Sequence, residues 1–346
     1  MRVAQRMVTR NYMKSLNTAL GRRAESLERS GSGLKFKKLS ENVADGTRAM
    51  RIQEERTHSQ SALENVETIL LEYNSVDSTM DSIDASIQTI QEKVLKAMSD
   101  SHGETNRDVL ASEIKNLRDQ ILQFVNAQFA DKYLFGGTNN AGPAFDLDSD
   151  GKVTFNGVKV EDIYRNADGK YCFLDAGGIE QPVPDCGDVY IDIGLGMKID
   201  SGTPDPRTAF QMSFDSLLML GYGAGKAGEK YGTPVAGNVI DLLTQLESAV
   251  AADNKQAIDD LQGQLVTLND NMRMSRTDLG TRVNYLERTK DRLENDIDNL
   301  SEMESALISA DPAEEAINMK MCEHVWLATL QLGTQILPSS LLDFLR

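Results

Sequence analysis

Residues Ala62 to Ala97 read ALENVETILLEYNSVDSTMDSIDASIQTIQEKVLKA. Within this run Ala62, Val66, Ile69, Tyr73, Val76, Met80, Ile83, Ile87, Ile90, Val94 and Ala97 follow one another at an unbroken alternation of four and three. That alternation is a heptad seam, with a period of about 3.5 residues. The positions between are mostly Glu, Asp, Ser, Gln and Thr, so one narrow stripe is apolar and the remainder is wet. At about 1.5 Å per residue the seam alone extends on the order of 55 Å. A stripe so long and so narrow predicts a second long helix lying against it.

Working outward, the apolar positions Met13, Leu16, Leu20 and Leu27 fall at helical spacing, and Ser30-Gly31-Ser32-Gly33 ends that helix. A long helix is expected from near Ser40 through the seam to about Met98, with Asp100-Ser101-His102-Gly103 as the turn that follows. The next helix carries Leu110, Ile114, Leu117, Ile121 and Phe124, and is expected to run until Tyr133-Leu134-Phe135 meets Gly136-Gly137. From Thr138 to about Val235 glycine and proline become dense. Short runs such as Lys152-Val153-Thr154-Phe155, Val158-Lys159-Val160 and Val189-Tyr190-Ile191-Asp192-Ile193 mark a β-rich insert.

Helical pattern resumes at Val239, Leu242, Leu246 and Ala249. Ile258, Leu261, Leu265, Leu268, Met272, Ser275 and Leu279 then form a second seam. Val283, Leu286, Leu293, Ile297, Leu300 and Leu307 continue it after a change of phase, which would locally unwind a supercoil. Asp311-Pro312 opens a last helix with a capping residue and a proline in its first turn. The expected fold is mainly α: a long antiparallel coiled-coil rod built from both chain halves, with a β-rich inserted domain. Its parts are terminal helices at 1–40 and 309–346, the rod at 41–137 and 236–308, and the insert at 138–235.

The totals narrow the function. The chain has 346 residues, one Trp and 6% aromatics, a composition that suits helical rods better than an enzyme with one large core. A formal net charge of -17 argues against nucleic acid as the main partner. The charge is uneven: ten Lys and Arg against Glu25 and Glu28 make residues 1–38 +8, which leaves -25 for the rest. The simplest partner for so basic a segment is the acidic surface of the chain's own kind. The first residues lack an apolar signal-peptide core, and no window approaches the length of a membrane span.

Few residues offer chemistry. Asp146, Asp148, Asp150 and Gly151 match the first half of a calcium loop, but the twelfth position is Gly157 where a bidentate Glu is needed, and the same residues suit a hairpin turn. Gly221-Tyr222-Gly223-Ala224-Gly225-Lys226 lacks the Walker spacing, with Leu220 in place of the first Gly and Ala227 in place of Ser or Thr, and reads as a loop. Cys172, Cys186 and Cys322 cannot all pair internally. A Cys172–Cys186 bridge is one arrangement and buried free thiols are the other. His58, His102 and His324 stand apart from one another, so no metal, cofactor or catalytic residue is assigned.

The carboxyl terminus is apolar without shelter. Leu337, Leu341, Leu342, Phe344 and Leu345 crowd the last ten residues, which marks an interaction surface together with Met13, Leu16 and Leu20 of the first helix.

Three motifs resemble the flagellin family. Tyr133-Leu134-Phe135-Gly136-Gly137-Thr138 is similar to the YLFGGT or YLFSGT signature of its hook-filament junction branch. Leu279-Gly280-Thr281-Arg282-Val283 with Leu286-Glu287 resembles its G-x-R helix. Glu314-Glu315-Ala316-Ile317, Leu327-Ala328-Thr329-Leu330 and Ser340-Leu341-Leu342-Asp343-Phe344-Leu345 resemble its carboxyl terminus. Where the family usually carries Ser-Asp-Asp-Pro after the first helix, this chain has Ser40-Glu41-Asn42-Val43-Ala44-Asp45-Gly46.

The resemblance implies a structural subunit and not an enzyme, exported unprocessed through the flagellar type III apparatus to the extracellular flagellum. It implies a ring of identical subunits between hook-associated protein 1 and flagellin, an export chaperone, and neither nucleic acid nor membrane as partner. Two other readings stay open: flagellin itself, and a cytoplasmic coiled-coil scaffold.

Overall fold

A computed structural model of the chain describes residues 2–98, 104–139, 141–149, 151–167, 169–175, 177–200, 203–205, 207–223 and 237–336. The helices are α1 (Arg2–Ser32), α2 (Val43–Met98), α3 (Glu104–Val125), α4 (Ser216–Leu220), α5 (Val239–Ala251), α6 (Lys255–Ile308) and α7 (Pro312–Ile336). The described chain divides into two compact units. One comprises Ser61–Leu293, the other the described residues of Met1–Gln60 and Glu294–Arg346.

In the unit Ser61–Leu293 the heptad reading of α2 holds. Every residue of the seam from Ala62 to Ala97 is buried, at most 3% exposed. The partner is α6, and the two run antiparallel. Glu67 pairs with Lys290 at 2.8 Å, Asp77 with Arg276 at 2.6 Å and Asp84 with Arg273 at 3.4 Å, so as one number rises the other falls. These half-exposed pairs contribute little stability each, but they fix register along the stripe.

The change of phase expected in α6 is absent through Leu300. Ile258, Leu265, Met272, Leu279, Leu286, Leu293 and Leu300 are buried at intervals of seven. The alternate row includes Leu268, Ser275, Arg282 and Thr289. Reading only apolar residues skips Arg282 for Val283 and creates the apparent shift. Arg282 sits in the row because the Tyr73 hydroxyl takes a hydrogen bond from its guanidinium, while Asp278 Oδ2 accepts from its Nε at 3.2 Å.

The helix α3 ends at Val125, not at the Gly136-Gly137 pair. Ala130 and Asp131 both have positive φ, 48° and 62°, and turn the chain back between β1 (Gln128–Phe129) and β2 (Lys132–Tyr133). Such a two-residue turn matches the twist of an antiparallel pair. Asn126 holds the helix end: its Nδ2 donates to Phe145 O at 2.7 Å and its Oδ1 accepts from Phe145 N at 3.1 Å.

The insert is β-rich as expected, in small antiparallel sheets. The first comprises β3 (Phe145–Leu147), β4 (Val153–Phe155) and β5 (Val158–Lys159), followed by a 3-10 turn at Val160–Asp162. The second comprises β6 (Tyr164–Arg165), β7 (Tyr171–Leu174) and β8 (Glu180–Pro182). Then β9 (Tyr190–Ile191) pairs with β12 (Phe210–Gln211), and β10 (Ile199–Asp200) with β11 (Thr203–Pro204). Its core is continuous with that of the helices. The Tyr73 ring lies 6.3 Å from Phe210, Phe210 stacks on Tyr285 at 6.1 Å, and the Tyr73 hydroxyl reaches Met212 O at 3.0 Å.

Asp148 pairs with Lys159 at 3.3 Å, and the backbone N–H of Ser149 together with that ammonium holds its carboxyl below the usual range. Asp150 lies outside the described residues, as do Ala224 to Ala227 of the glycine-rich stretch and the turn at residues 99–103. None of the three cysteines is in a disulfide. Cys172 is buried in β7 between its partner strands, whereas Cys186 lies past β8, so the bridge considered from sequence is not formed. Burial, with Asp215 and Asp188 nearby, pushes the Cys186 thiol up to about 12.

Candidate assembly surface

In the unit built from the chain ends, α1 packs along α7 in the antiparallel sense, and both helices are tied to the end of α6. Lys35 N donates to Ile308 O at 2.7 Å and Ala310 N to Gly33 O at 2.8 Å, around an antiparallel bridge between Leu34 and Ser309. Gly33, at φ 68°, lets the chain turn out of α1 into this bridge. Asp311 caps α7 as its sequence suggests, with Oδ1 accepting from Ala313 N at 2.8 Å. Arg56 and Glu304 join α2 to α6 at 3.1 Å.

The α1–α7 seam is made of residues that an apolar reading passes over. On α1 the buried or half-buried row is Thr9, Tyr12, Leu16, Ala19, Arg23 and Ser26, again at spacings of three and four. On α7 it includes Glu315, Cys322, Trp326, Thr329 and Gly333. Ser26 Oγ donates to Glu315 Oε1 at 3.2 Å, and the Arg23 guanidinium lies 4.3 Å from the Trp326 ring centre. Gly333 is required by shape: a Cβ there would fall on the Tyr12 phenol. The missed signal was a heptad row of small and polar side chains, which matches in spacing but not in hydropathy.

The residues singled out from sequence divide accordingly. Leu16 is in the seam. Met13 and Leu20 are not; they are 50% and 46% exposed, and with Leu27 they form a row at intervals of seven along the flank of the seam. Leu337, Leu341, Leu342, Phe344 and Leu345 lie outside the described residues. On α7, Ile317, Met321, Val325, Leu327, Leu330 and Leu332 are also exposed. A pair of helices whose mutual seam is filled thus still presents large apolar side chains on both members. Large apolar side chains left exposed in number are a recurring feature of surfaces that meet a partner.

The YLFGGT stretch lies in the other unit, where the helices pass into the insert. Leu134 and Phe135 are buried, and Phe135 meets Phe214 edge-on at 5.9 Å. Gly137 has φ 66°, and a Cβ on it would stand 2.5 Å from Asp185 O, the same carbonyl that accepts from Thr138 N at 2.9 Å. The motif is therefore a buckle: Leu134 and Phe135 anchor it in the core and the glycine lets the insert's backbone close upon it.

Among the described residues no group of His, Cys, Asp and Glu is arranged to hold a metal ion, and no helix is long and apolar enough to cross a membrane.

Comparison with known proteins agrees with this architecture. Residues 3–140 match the bacterial flagellin N-terminal helical region, and residues 263–345 match the flagellin C-terminal helical region. Comparison with curated proteins returns no match. A structure described as a flagellar hook-associated protein of Vibrio parahaemolyticus is 17% identical, with a TM-score of 0.54, covering 78% of this chain and 100% of that one. It shares the fold. FlgL of Bacillus cereus, 16% identical, covers 74% of this chain and 99% of its own at a TM-score of 0.48. The flagellar junction protein FlgL of Legionella pneumophila, 14% identical, covers 74% and 94% at 0.38. The two helical regions, one from each end of the polypeptide, are those that α1 to α3 and α6 to α7 build, and the chain belongs to the flagellin family of bacterial flagellar structural proteins.

Proposed function

We propose that this chain is a structural adaptor joining the hook to the flagellin filament of a bacterial flagellum. In this reading it is exported by the flagellar type III route, with an export chaperone, and forms a ring of identical subunits between hook-associated protein 1 and flagellin. The observation that carries the reading is the row of Met13, Leu20 and Leu27 left in water beside a completed α1–α7 seam. Burial of one such side chain contributes roughly 1.5 to 3 kcal/mol. A subunit that keeps several in solvent gains from neighbours what its own fold does not supply. The YLFGGT stretch and the fold shared with a hook-associated protein favour the junction over the filament proper.

The assembly surface then comprises Met13, Leu16 and Leu20 with Leu337, Leu341, Leu342, Phe344 and Leu345. Residues 1–40 and 309–346 serve as assembly segments, 41–137 and 236–308 as the rod, and 138–235 as the insert. The test is incorporation. Met13→Asp with Leu20→Asp, Leu342→Asp, or deletion of Leu341–Arg346, should leave the fold of Ser61–Leu293 intact and remove the chain from flagella. Normal filament attachment in all three variants refutes the proposal. Flagellin itself is distinguished by polymerisation of the purified chain alone, where an adaptor stays monomeric in dilute solution.

A further inference from the structure

The assembly surface described above is apolar, but α1 carries a second, differently made face. Arg6, Arg10 and Lys14 stand four residues apart, all exposed, and none forms an ion pair with a described residue. From Arg2 to Ala24 α1 contains no acidic residue. Members of such a row are about 6 Å apart along the axis and about 12 Å from first to last. Like charges at this spacing repel one another within a helix, so the row costs the isolated chain some helix stability.

The same unit contains the reverse pattern. Between Glu294 and Asp311 there is no Lys or Arg, and Glu294, Asp298 and Glu302 stand four apart along α6. They lie on the face away from the buried positions Leu293 and Leu300, and all three are exposed. Asp298 and Glu302 have no ion-pair partner among the described residues, whereas Glu294 already has a partner within the chain. Three cations and three anions therefore occupy rows of equal pitch and equal length on two helices of one chain. Within the chain α1 spends its contacts on α7, and Arg6 to Lys14 lie 18 or more residues before Ser32, where α1 reaches the end of α6.

We infer that the Arg6, Arg10, Lys14 row of one copy docks on the Glu294, Asp298, Glu302 row of a second copy. Such a contact joins two different patches, so it is head-to-tail and propagates around a ring instead of closing as a two-fold dimer. Complementary charge rows set register and speed of encounter more than affinity. The apolar flank would supply affinity and the charge rows would select which neighbour it meets. This inference rests on the flagellar reading for its setting only; the contact itself is a property of the chain.

The test mixes full-length chain grown in ordinary and in heavy nitrogen at high concentration, couples amines to carboxylates with a carbodiimide, and reads the products by mass spectrometry. Mixed-isotope peptides joining Lys14 to Glu294, Asp298 or Glu302 are expected, with a yield that drops on the order of tenfold between low salt and about 0.5 M salt, where screening reaches a few ångströms. Links only within one isotope, or from Lys14 to other carboxylates, overturn the inference. In cells, R6E/R10E/K14E should be secreted yet missing from flagella, and E294K/D298K/E302K should restore it in the same chain. Incorporation of the first variant at wild-type level overturns the inference while leaving the adaptor reading intact. Absence of the wild-type chain from flagella overturns the adaptor reading, with the cross-links still deciding the contact.

Discussion

Replacing Gly137 by Ala probes the buckle between helices and insert. The substitution forces an L side chain into φ 66°, which costs about 1 to 2 kcal/mol. It also places Cβ 2.5 Å from Asp185 O, so that carbonyl must retreat and the bond it accepts from Thr138 N lengthens or breaks. A lost bond of this kind contributes about 0.5 to 1.5 kcal/mol. The expected destabilisation is about 2 to 3 kcal/mol, which for a urea slope of about 2.5 kcal/mol/M lowers the midpoint by about 1 M.

Circular dichroism at increasing urea measures it. Trp326, the single tryptophan, lies on α7 in the other unit and supplies an internal reference by fluorescence. Gly142 is the control: nothing lies within 4 Å of a Cβ built there, so G142A should be silent. If G137A falls within about 0.5 kcal/mol of wild type, a scatter typical of neutral surface changes, or if G142A loses as much, the buckle account is wrong.

Other outcomes follow from the same geometry. Tyr73→Phe removes the hydroxyl that serves Arg282 and Met212 O, and should cost about 1 to 3 kcal/mol in urea unfolding. Gly333→Ala should spread α1 from α7, seen as faster proteolysis within α1 and a shifted Trp326 emission, with the Ser61–Leu293 unit unaltered. The Cys186 thiol, pushed up to about 12 by burial, stays protonated at pH 8, so iodoacetamide should modify it far more slowly than a solvent cysteine; rapid labelling would contradict its placement. Burial raises the Asp241 carboxyl, so its contribution is most favourable below its unfolded value and declines as pH rises through the folded one. Asp241→Asn keeps an oxygen for Val153 N and should flatten that pH dependence, measured as melting temperature between pH 4 and 7.

The long-helix pairing was legible because burial in a two-helix seam imposes a strict period, and from Ala62 to Ala97 every occupant is apolar or Tyr. Legibility failed where the row was kept but the chemistry changed. Arg282 and Thr289 hold seam positions in α6 through hydrogen bonds and tight neighbours, so hydropathy alone placed a shift of phase there. The α1–α7 seam was obscured for the same reason, and Met13 and Leu20, chosen as apolar, lie on its flank. The end of α3 was misplaced because the turn puts Ala130 and Asp131 at positive φ without the glycine that usually marks such a turn, while the glycine pair beyond it serves a close approach instead of a helix stop. The exposed rows that form the candidate surface could have been found by asking which apolar residues fall off the heptad.

The bond from Ser26 to Glu315 joins side chains 289 positions apart, and the Leu34–Ser309 bridge is scarcely more local. Every stabilising neighbour that α1 has on α7 is thus made last, after nearly the whole polypeptide is available. A chain delivered amino end first would present its opening helix long before its mate arrives. A copy truncated before α7 would lack Gly333 and Trp326, against which Tyr12 and Arg23 pack in the whole chain.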